Sequence, residues 1–228
     1  SPLSMSGLRE NKTALPWMTP PAASAWEQAS GLLKRLGALD AAGRLTEKGE
    51  KMSRMPMHPR LANMLLGSSS EDVALLAAII EEGVKTRETD IRRILDEIRE
   101  LPDRSFARRA IQLSKRFERY ACVSSRTAKP MSEGASLALA YPDRVAKNRG
   151  NGSFVMVSGR GATLESSDPL AKAEFIVCCE LDDRSGNAKV FLASPVGREE
   201  IEEMFADSIT EKEVCEWDRR TDSVKAAS

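Results

Sequence analysis

The sequence predicts an α+β chain, helical up to about residue 130 and built of short strands beyond about residue 150. Three observations carry this. Apolar residues recur at helical spacing through the first half. After residue 150 short apolar runs alternate with Gly- and Asp-rich turns. Hydrophobic residues make up 41% of 228 residues, enough to bury a real core.

The elements follow in order. Residues 1–21 read as a linker, because Pro16, Pro20 and Pro21 break any helix. Pro20-Pro21 suits the first turn of a helix carrying Trp26, Ala29, Leu33 and Leu36, which Gly37 stops. Ala38 to Leu45 reads as a short hairpin. Thr46 caps a second helix bearing Met52 and Met55, Pro56 ends it, and Pro59 starts a third with Leu61, Met64 and Leu65. Helix, small hairpin, helix is the layout of the back half of a winged helix. Ser69 and Ser70 are expected to cap a helix whose run Val73 to Ile80 is apolar throughout, with Gly83 closing it. Ile91, Ile94, Leu95, Ile98 and Leu101 form the stripe of the next helix. On the helix after that, an advance of about 100° per residue puts Phe106, Ala110, Leu113, Phe117 and Tyr120 on one face. Arg104, Arg108, Lys115 and Arg119 fall on the opposite face, flanked by Arg109 and Arg116. Strands are predicted at Phe154–Val157, Glu174–Leu181 and Lys189–Ala193. A short acidic helix at Glu199–Phe205 and a hairpin from Val214 follow. The last strand looks too short to finish a domain, so a barrel lacking a strand or two is expected.

Composition excludes several chemistries. The formal net charge is zero, but it is unevenly placed: residues 101–150 hold eleven Lys/Arg against four Asp/Glu, and residues 151–228 hold nine against sixteen. A basic middle and an acidic tail matter more to an anionic partner than the total. The single histidine, His58, rules out sites that need two imidazoles, and no G-x-x-x-x-G-K-[ST] phosphate loop occurs. Cys122, Cys178, Cys179 and Cys215 include no C-x-x-C pair, so neither zinc nor a disulfide framework is indicated, and no metal is expected. No apolar run reaches the roughly 18–20 residues that span a bilayer, and no secretory leader is recognised. A cytoplasmic, reducing setting without membrane association is expected.

Two strings resemble a known family. Leu36-Gly37-Ala38-Leu39, Leu45-Thr46, Gly49, Met52 and the run Met55-Pro56-Met57-His58-Pro59-Arg60-Leu61-Ala62-Asn63-Met64-Leu65 resemble the helicase-associated region that follows the motor of DEAH-box helicases. Ala140-Tyr141-Pro142-Asp143-Arg144-Val145-Ala146, Gly159-Arg160-Gly161-Ala162 and Asp168 to Glu174 resemble the bacterial HrpB branch of ATP-dependent helicases. The resemblance spans about residues 14–195. It implies a partial winged helix over 22–66, a helical ratchet domain over 67–130 and an incomplete, truncated oligonucleotide-binding-like β domain over 131–228. It also implies that the Walker motif, the DEAH box and the arginine fingers, with ATP and magnesium, belong to motor domains outside this sequence. The chain is therefore expected to be a fragment, inactive as an NTP hydrolase and needing no cofactor of its own.

The candidate nucleic-acid-binding residues are Arg104, Arg108, Arg109, Lys115, Arg116 and Arg119 on the basic helix, with Arg144, Lys147, Arg149 and Arg160 around the barrel. A solvated helix face competes with a phosphate-tracking one, and only Glu118 offsets the helix charge. Glycines beside Arg160 permit close backbone approach to a phosphate, and equally make an ordinary tight turn. His58 reads as a capping or packing histidine. Arg60 has either a local salt bridge or a nucleic-acid channel as its partner. Met52, Met55, Met57 and Met64 read as adaptable core. Cys178 and Cys179 are expected on opposite strand faces, one buried and one exposed. Asp182-Asp183 reads as a polar turn rather than a metal site. The leading function is an accessory module of an RNA helicase that binds single-stranded RNA (or DNA) beside the motor domains. The alternative is a protein-interaction scaffold that docks on the motor or another acidic partner.

Overall fold

The architecture comes from a computed structural model that describes residues 22–83, 86–121, 130–182 and 187–206, together with the backbone of residues 214–218 and 223–227. The expectations for residues 1–21, Cys122, Asp183 and the Cys215 side chain lie outside the described residues. The chain divides into two compact units, residues 1–197 and residues 198–228.

Among the described residues, seven α-helices precede the strands of the first unit. α1 (Ala23–Arg35) ends where Gly37 takes φ +70°, a conformation that costs other residues more. Leu33 and Leu36 are buried below it. A bridge between Leu39 and Leu45 makes the short hairpin, tightened by the Asp40 carboxylate, which accepts from the Arg44 N–H at 2.8 Å. The Thr46 hydroxyl accepts from the Gly49 N–H at 3.0 Å and caps α2 (Glu47–Ser53). His58 caps α3 (Pro59–Gly67), its Nδ1 accepting from the Arg60 N–H at 3.2 Å. Met52, Met55 and Met64 are core residues.

α4 (Val73–Glu82) is buried on nearly every side and ends at Gly83 with φ +61°. Its cap differs from the expected one. Asp72 is the N-cap residue, and the Ser70 hydroxyl accepts from the Asp72 N–H at 3.3 Å, so the serine shapes the preceding turn. α5 (Ile91–Glu100) buries Ile91, Ile94, Leu95 and Ile98, whereas Leu101 falls past the helix end and is exposed. α6 (Ser105–Phe117) packs on α4. Its buried line is Ala107, Ala110, Ser114 and Phe117, with Phe106, Leu113 and Tyr120 only half-buried. Small residues let α6 approach the alanine-rich α4 closely, which turns the contact line away from the larger side chains.

α7 (Glu133–Ala140) carries few large side chains, so no apolar stripe marks it in the sequence. It packs against α3: the hydroxyls of Ser68 and Ser136 lie 2.7 Å apart, and Asn63 Nδ2 donates to the Leu139 carbonyl at 2.6 Å. Its first turn lies flat on strand backbone at Gly134, where a Cβ would come within 2.0 Å of the Pro195 carbonyl oxygen.

Five strands form a closed barrel in the order β1-β2-β3-β5-β4. They are β1 (Val145–Gly150), β2 (Ser153–Met156), β3 (Gly161–Thr163), β4 (Phe175–Asp182) and β5 (Asn187–Pro195). Ala146 faces Met156 and Val145 faces Val177 on the two sides of β1, while β3 joins β5 in parallel at Ala162 and Ala188. Phe154, Met156, Ala162, Ile176, Cys178 and Val190 fill the interior. This corrects the expectation of a truncated barrel. The polar strand β1 and the three-residue β3 complete the ring, and both escaped a search for apolar runs.

The second unit holds α8 (Arg198–Phe205) and an antiparallel pair, β6 (Val214–Asp218) and β7 (Ser223–Ala227). No described helix is long and apolar enough to cross a membrane.

Candidate nucleic-acid interface

The burial line of α6 sets which cations reach solvent. With Ala107, Ala110 and Ser114 against α4, residues 108, 109, 115 and 116 face outward. The side chains of Arg108, Lys115 and Arg116 are exposed and have no hydrogen bond or ion pair among the described residues. Arg108 and Lys115 are seven residues apart, which sets them about 20° apart around the axis and roughly 10 Å along it. Arg119 follows the helix in a turn, exposed, with its guanidinium 5.9 Å from the Tyr120 ring centroid. Cation–π contact leaves that charge available.

Two predicted members differ. Arg104 precedes the helix as its N-cap residue, and its guanidinium pairs with Glu97. Arg109 pairs with Glu82 at 2.8 Å. Glu82 and Glu97 belong to α4 and α5, so these offsetting charges were invisible along α6 itself.

The barrel group also divides. Lys147 and Arg149 are both exposed on β1, with Arg149 at the register irregularity between Asn148 and Gly150. Lys147 lies opposite Val155, which lies opposite Gly161. Arg160 is exposed in the turn before β3, next to Gly159 with φ +82°. Arg144 turns inward: its Nη1 donates to the Cys179 carbonyl at 2.9 Å, and its guanidinium lies 5.2 Å from the Tyr141 ring centroid. It is a packing residue, held by a carbonyl of β4 and by the ring of Tyr141 at the end of α7.

The two signature strings meet in space. Arg60, at the start of α3, reaches Asp143 in the turn before β1 with a two-pronged ion pair, Nη1 to Oδ1 at 2.6 Å and Nη2 to Oδ2 at 2.9 Å. Nη1 also donates to the Ala140 carbonyl at 2.9 Å, and the Tyr141 ring centroid lies 5.0 Å from the same guanidinium. The two side chains are 11% and 17% exposed, so the pair is largely withdrawn from water. Burial pushes the Asp143 carboxyl up, but hydrogen bonds and charge from Arg60, helped by Arg144, outweigh this and hold it below the usual carboxylate range. Arg60 therefore takes a partner 83 residues away rather than a local one. The charged residues inside the two strings, Arg60 in the first and Asp143 beside Arg144 in the second, were the available signal for this joint.

The cysteines correct a second expectation. Cys178 faces the barrel interior and Cys179 the outside, yet both are buried. Arg144 and Tyr141 cover the outer side. Burial pushes the Cys178 thiol up to about 12 and raises Cys179 as well, so neither is a ready thiolate at neutral pH.

Among the described residues no group of three or more His, Cys, Asp or Glu is placed to hold a metal. A cleft of about 570 Å³ runs between α5 and the turn at residues 169–172. Its guanidiniums are matched by carboxylates, Arg92 with Asp90 at 2.7 Å and Arg99 with Asp72 at 2.6 Å, so it does not concentrate positive charge. Among the candidate cations, Arg108, Lys115 and Arg116 on α6 and Lys147 and Arg149 on β1 meet no carboxylate among the described residues.

Comparison with known proteins supplies the context of these surfaces. Residues 31–57 match the helicase associated domain (HA2), winged-helix. The chain is 30% identical over 218 residues to the ATP-dependent RNA helicase HrpB of Escherichia coli, covering 92% of this chain and 26% of that protein. The crystal structure of E. coli DExH-box NTPase HrpB superimposes with a TM-score of 0.75 at 28% identity, over 98% of this chain and 28% of that one.

The chain is related to the C-terminal accessory region of HrpB-type DEAH-box helicases.

An Arabidopsis thaliana helicase, DEAH13, shares 51% identity over 51 residues, which is 22% of this chain and 4% of that protein. The HrpB-type likeness runs through helices and barrel together, and the chain spans about a quarter of the length of the E. coli relative.

Proposed function

We propose that this chain is a nucleic-acid-binding accessory module of an ATP-dependent RNA helicase, acting on single-stranded RNA in a cytoplasmic setting. The observation that carries the reading is the set Arg108, Lys115 and Arg116 on α6, exposed and unpaired among the described residues. Solvated cations without carboxylate partners release counterions from a phosphate backbone when they bind it. Residues 22–66 then act as part of a winged helix, residues 67–130 as the ratchet and the β1–β5 barrel as an oligonucleotide-binding-like fold. ATP and magnesium belong to the motor domains of the parent helicase.

The mechanism is electrostatic. Arg108, Lys115, Arg116 and Arg119 hold phosphates along one face, and Lys147 and Arg149 hold others at the barrel. Stacking adds little, because Phe191 is the exposed aromatic among the described residues and its strand, β5, is not a neighbour of β1. Binding is therefore expected to be indifferent to sequence and sensitive to salt.

Fluorescence anisotropy with labelled single-stranded RNA tests this. Six phosphate contacts give a slope of log K against log salt of about −4, and removing three gives about −2. The variant with Arg108→Gln, Lys115→Gln and Arg119→Gln is expected to show that change with its fold intact by circular dichroism. A folded protein with no affinity at low salt would leave a docking role on protein instead. An unchanged slope in the variant would remove α6 from the nucleic-acid path.

A further inference from the structure

The Arg60–Asp143 pair lies on a continuous line of packed elements between the two exposed cation groups. α6 packs on α4, α4 packs on α3, and α3 carries Arg60 at its first turn. Asp143 stands two residues before β1, whose outward residues are Lys147 and Arg149. Arg60 is held at three points on this route, by both Asp143 oxygens and by the Ala140 carbonyl. Arg144 continues the fixation from the same turn to the Cys179 carbonyl on β4.

A buried ion pair is a poor device for stability alone. Well-packed apolar residues of similar volume usually serve as well, because the charges lose their hydration. What the pair supplies is direction. The planar guanidinium fork meets a carboxylate in one orientation, whereas an apolar contact tolerates sliding and rotation. The neighbouring contacts, Ser68 to Ser136 and Asn63 to Leu139, hold α7 against α3 but do not reach β1.

We propose that the Arg60–Asp143 clamp is a positioning device that fixes the α6 basic face relative to the β1 basic edge, so that one nucleic-acid strand engages both at once. This rests on the proposed nucleic-acid binding and adds a bivalent geometry to it. Two sites on one rigid body convert the second contact into an intramolecular one. Affinity then rises sharply when a strand becomes long enough to span both. Arg60 and Asp143 touch no nucleic acid in this scheme and act only through the faces they align.

The test uses the full chain and labelled oligouridylates of about 4 to about 24 nucleotides, bracketing the usual site sizes of single folds. The parent is expected to gain about tenfold or more in affinity over a narrow range of lengths. The double variant Arg60→Met with Asp143→Leu replaces the clamp by an apolar contact. It is expected to bind the shortest strands as the parent does and to lose the step with length. Arg60→Lys keeps the charge but not the fork, and is expected to weaken the step without changing short-strand affinity. It also serves if the double variant does not fold.

Outcomes separate the two ideas. A step retained in both variants overturns the clamp as a positioning device. Equal losses for short and long strands also overturn it, leaving a purely structural pair. Binding by the parent with no step shows independent faces and refutes the inference, while nucleic-acid binding itself survives. No binding at any length removes both.

Discussion

Replacing Asp143 with Ala leaves the Arg60 guanidinium in its niche with one carbonyl partner, that of Ala140, in place of the two carboxylate bonds. Stranding one member of a fully buried pair costs about 3–5 kcal/mol, and the residual exposure of 11% and 17% places this site at the low end, about 3 kcal/mol. For a chain of this size each kcal/mol shifts Tm by about 2–4 °C, so a fall of about 6–12 °C is expected. Thermal unfolding at neutral pH by calorimetry reads it directly. Arg60→Met combined with Asp143→Leu removes both charges together and is expected to return most of the loss, to within about 1 kcal/mol of the parent. Acid gives an independent check. Asp143 is held below its ordinary pKa, so its contribution is complete above about pH 4 and disappears as pH falls through the folded-state value. The parent should therefore lose stability in that window, and the double variant should lose less. An Asp143→Ala protein melting within about 2 °C of the parent would refute the reasoning, as would a double variant no more stable than the single one.

Gly134→Ala is expected to cost at least about 2 kcal/mol, because its Cβ would sit 2.0 Å from the Pro195 carbonyl oxygen and 3.0 Å from the Val196 Cα. Gly31→Ala in α1 meets nothing within 4 Å and is expected to raise stability by about 0.5–1 kcal/mol, so denaturant midpoints of the two should move in opposite directions. Desolvation, then repulsion from Arg60 and Arg144, holds His58 below the ordinary histidine range, and its Nδ1 must be unprotonated to accept from the Arg60 N–H. Its contribution is complete above about pH 6.5 and is lost as pH falls toward the folded-state value. His58→Asn, which keeps a capping acceptor, should flatten the melting temperature between about pH 7 and about pH 5, and an unchanged profile would refute the capping role.

The helices were legible where a single periodic face meets a single core. α1, α3 and α5 each carry an apolar stripe, α2 is marked by its cap Thr46, and local stops or caps such as His58 and Gly37 act within a few residues. α7, β1 and β3 escaped because their order comes from distant partners. The sequence Val145-Ala146-Lys147-Asn148-Arg149-Gly150 has only two apolar residues, and both are buried because β2 and β4 flank them. Cys179 is buried for a similar reason, as cover from Tyr141 and Arg144 overrides the alternation of the strand.

The candidate site divides along the same physical line. The sequence by itself determined that the charge of residues 101–150 is strongly positive and that α6 presents it in a stripe, because the helical repeat depends on neighbouring residues alone. Only the tertiary structure decided which of those cations stay available. Arg104 and Arg109 are offset by Glu97 and Glu82 from other helices, and Arg144 is committed to β4, whereas Arg108, Lys115 and Arg116 meet no carboxylate among the described residues. The Arg60–Asp143 joint belongs wholly to the tertiary structure as well. Electrostatic pairing depends on distance in space, and the fold alone brings together two charges that stand 83 residues apart in the chain.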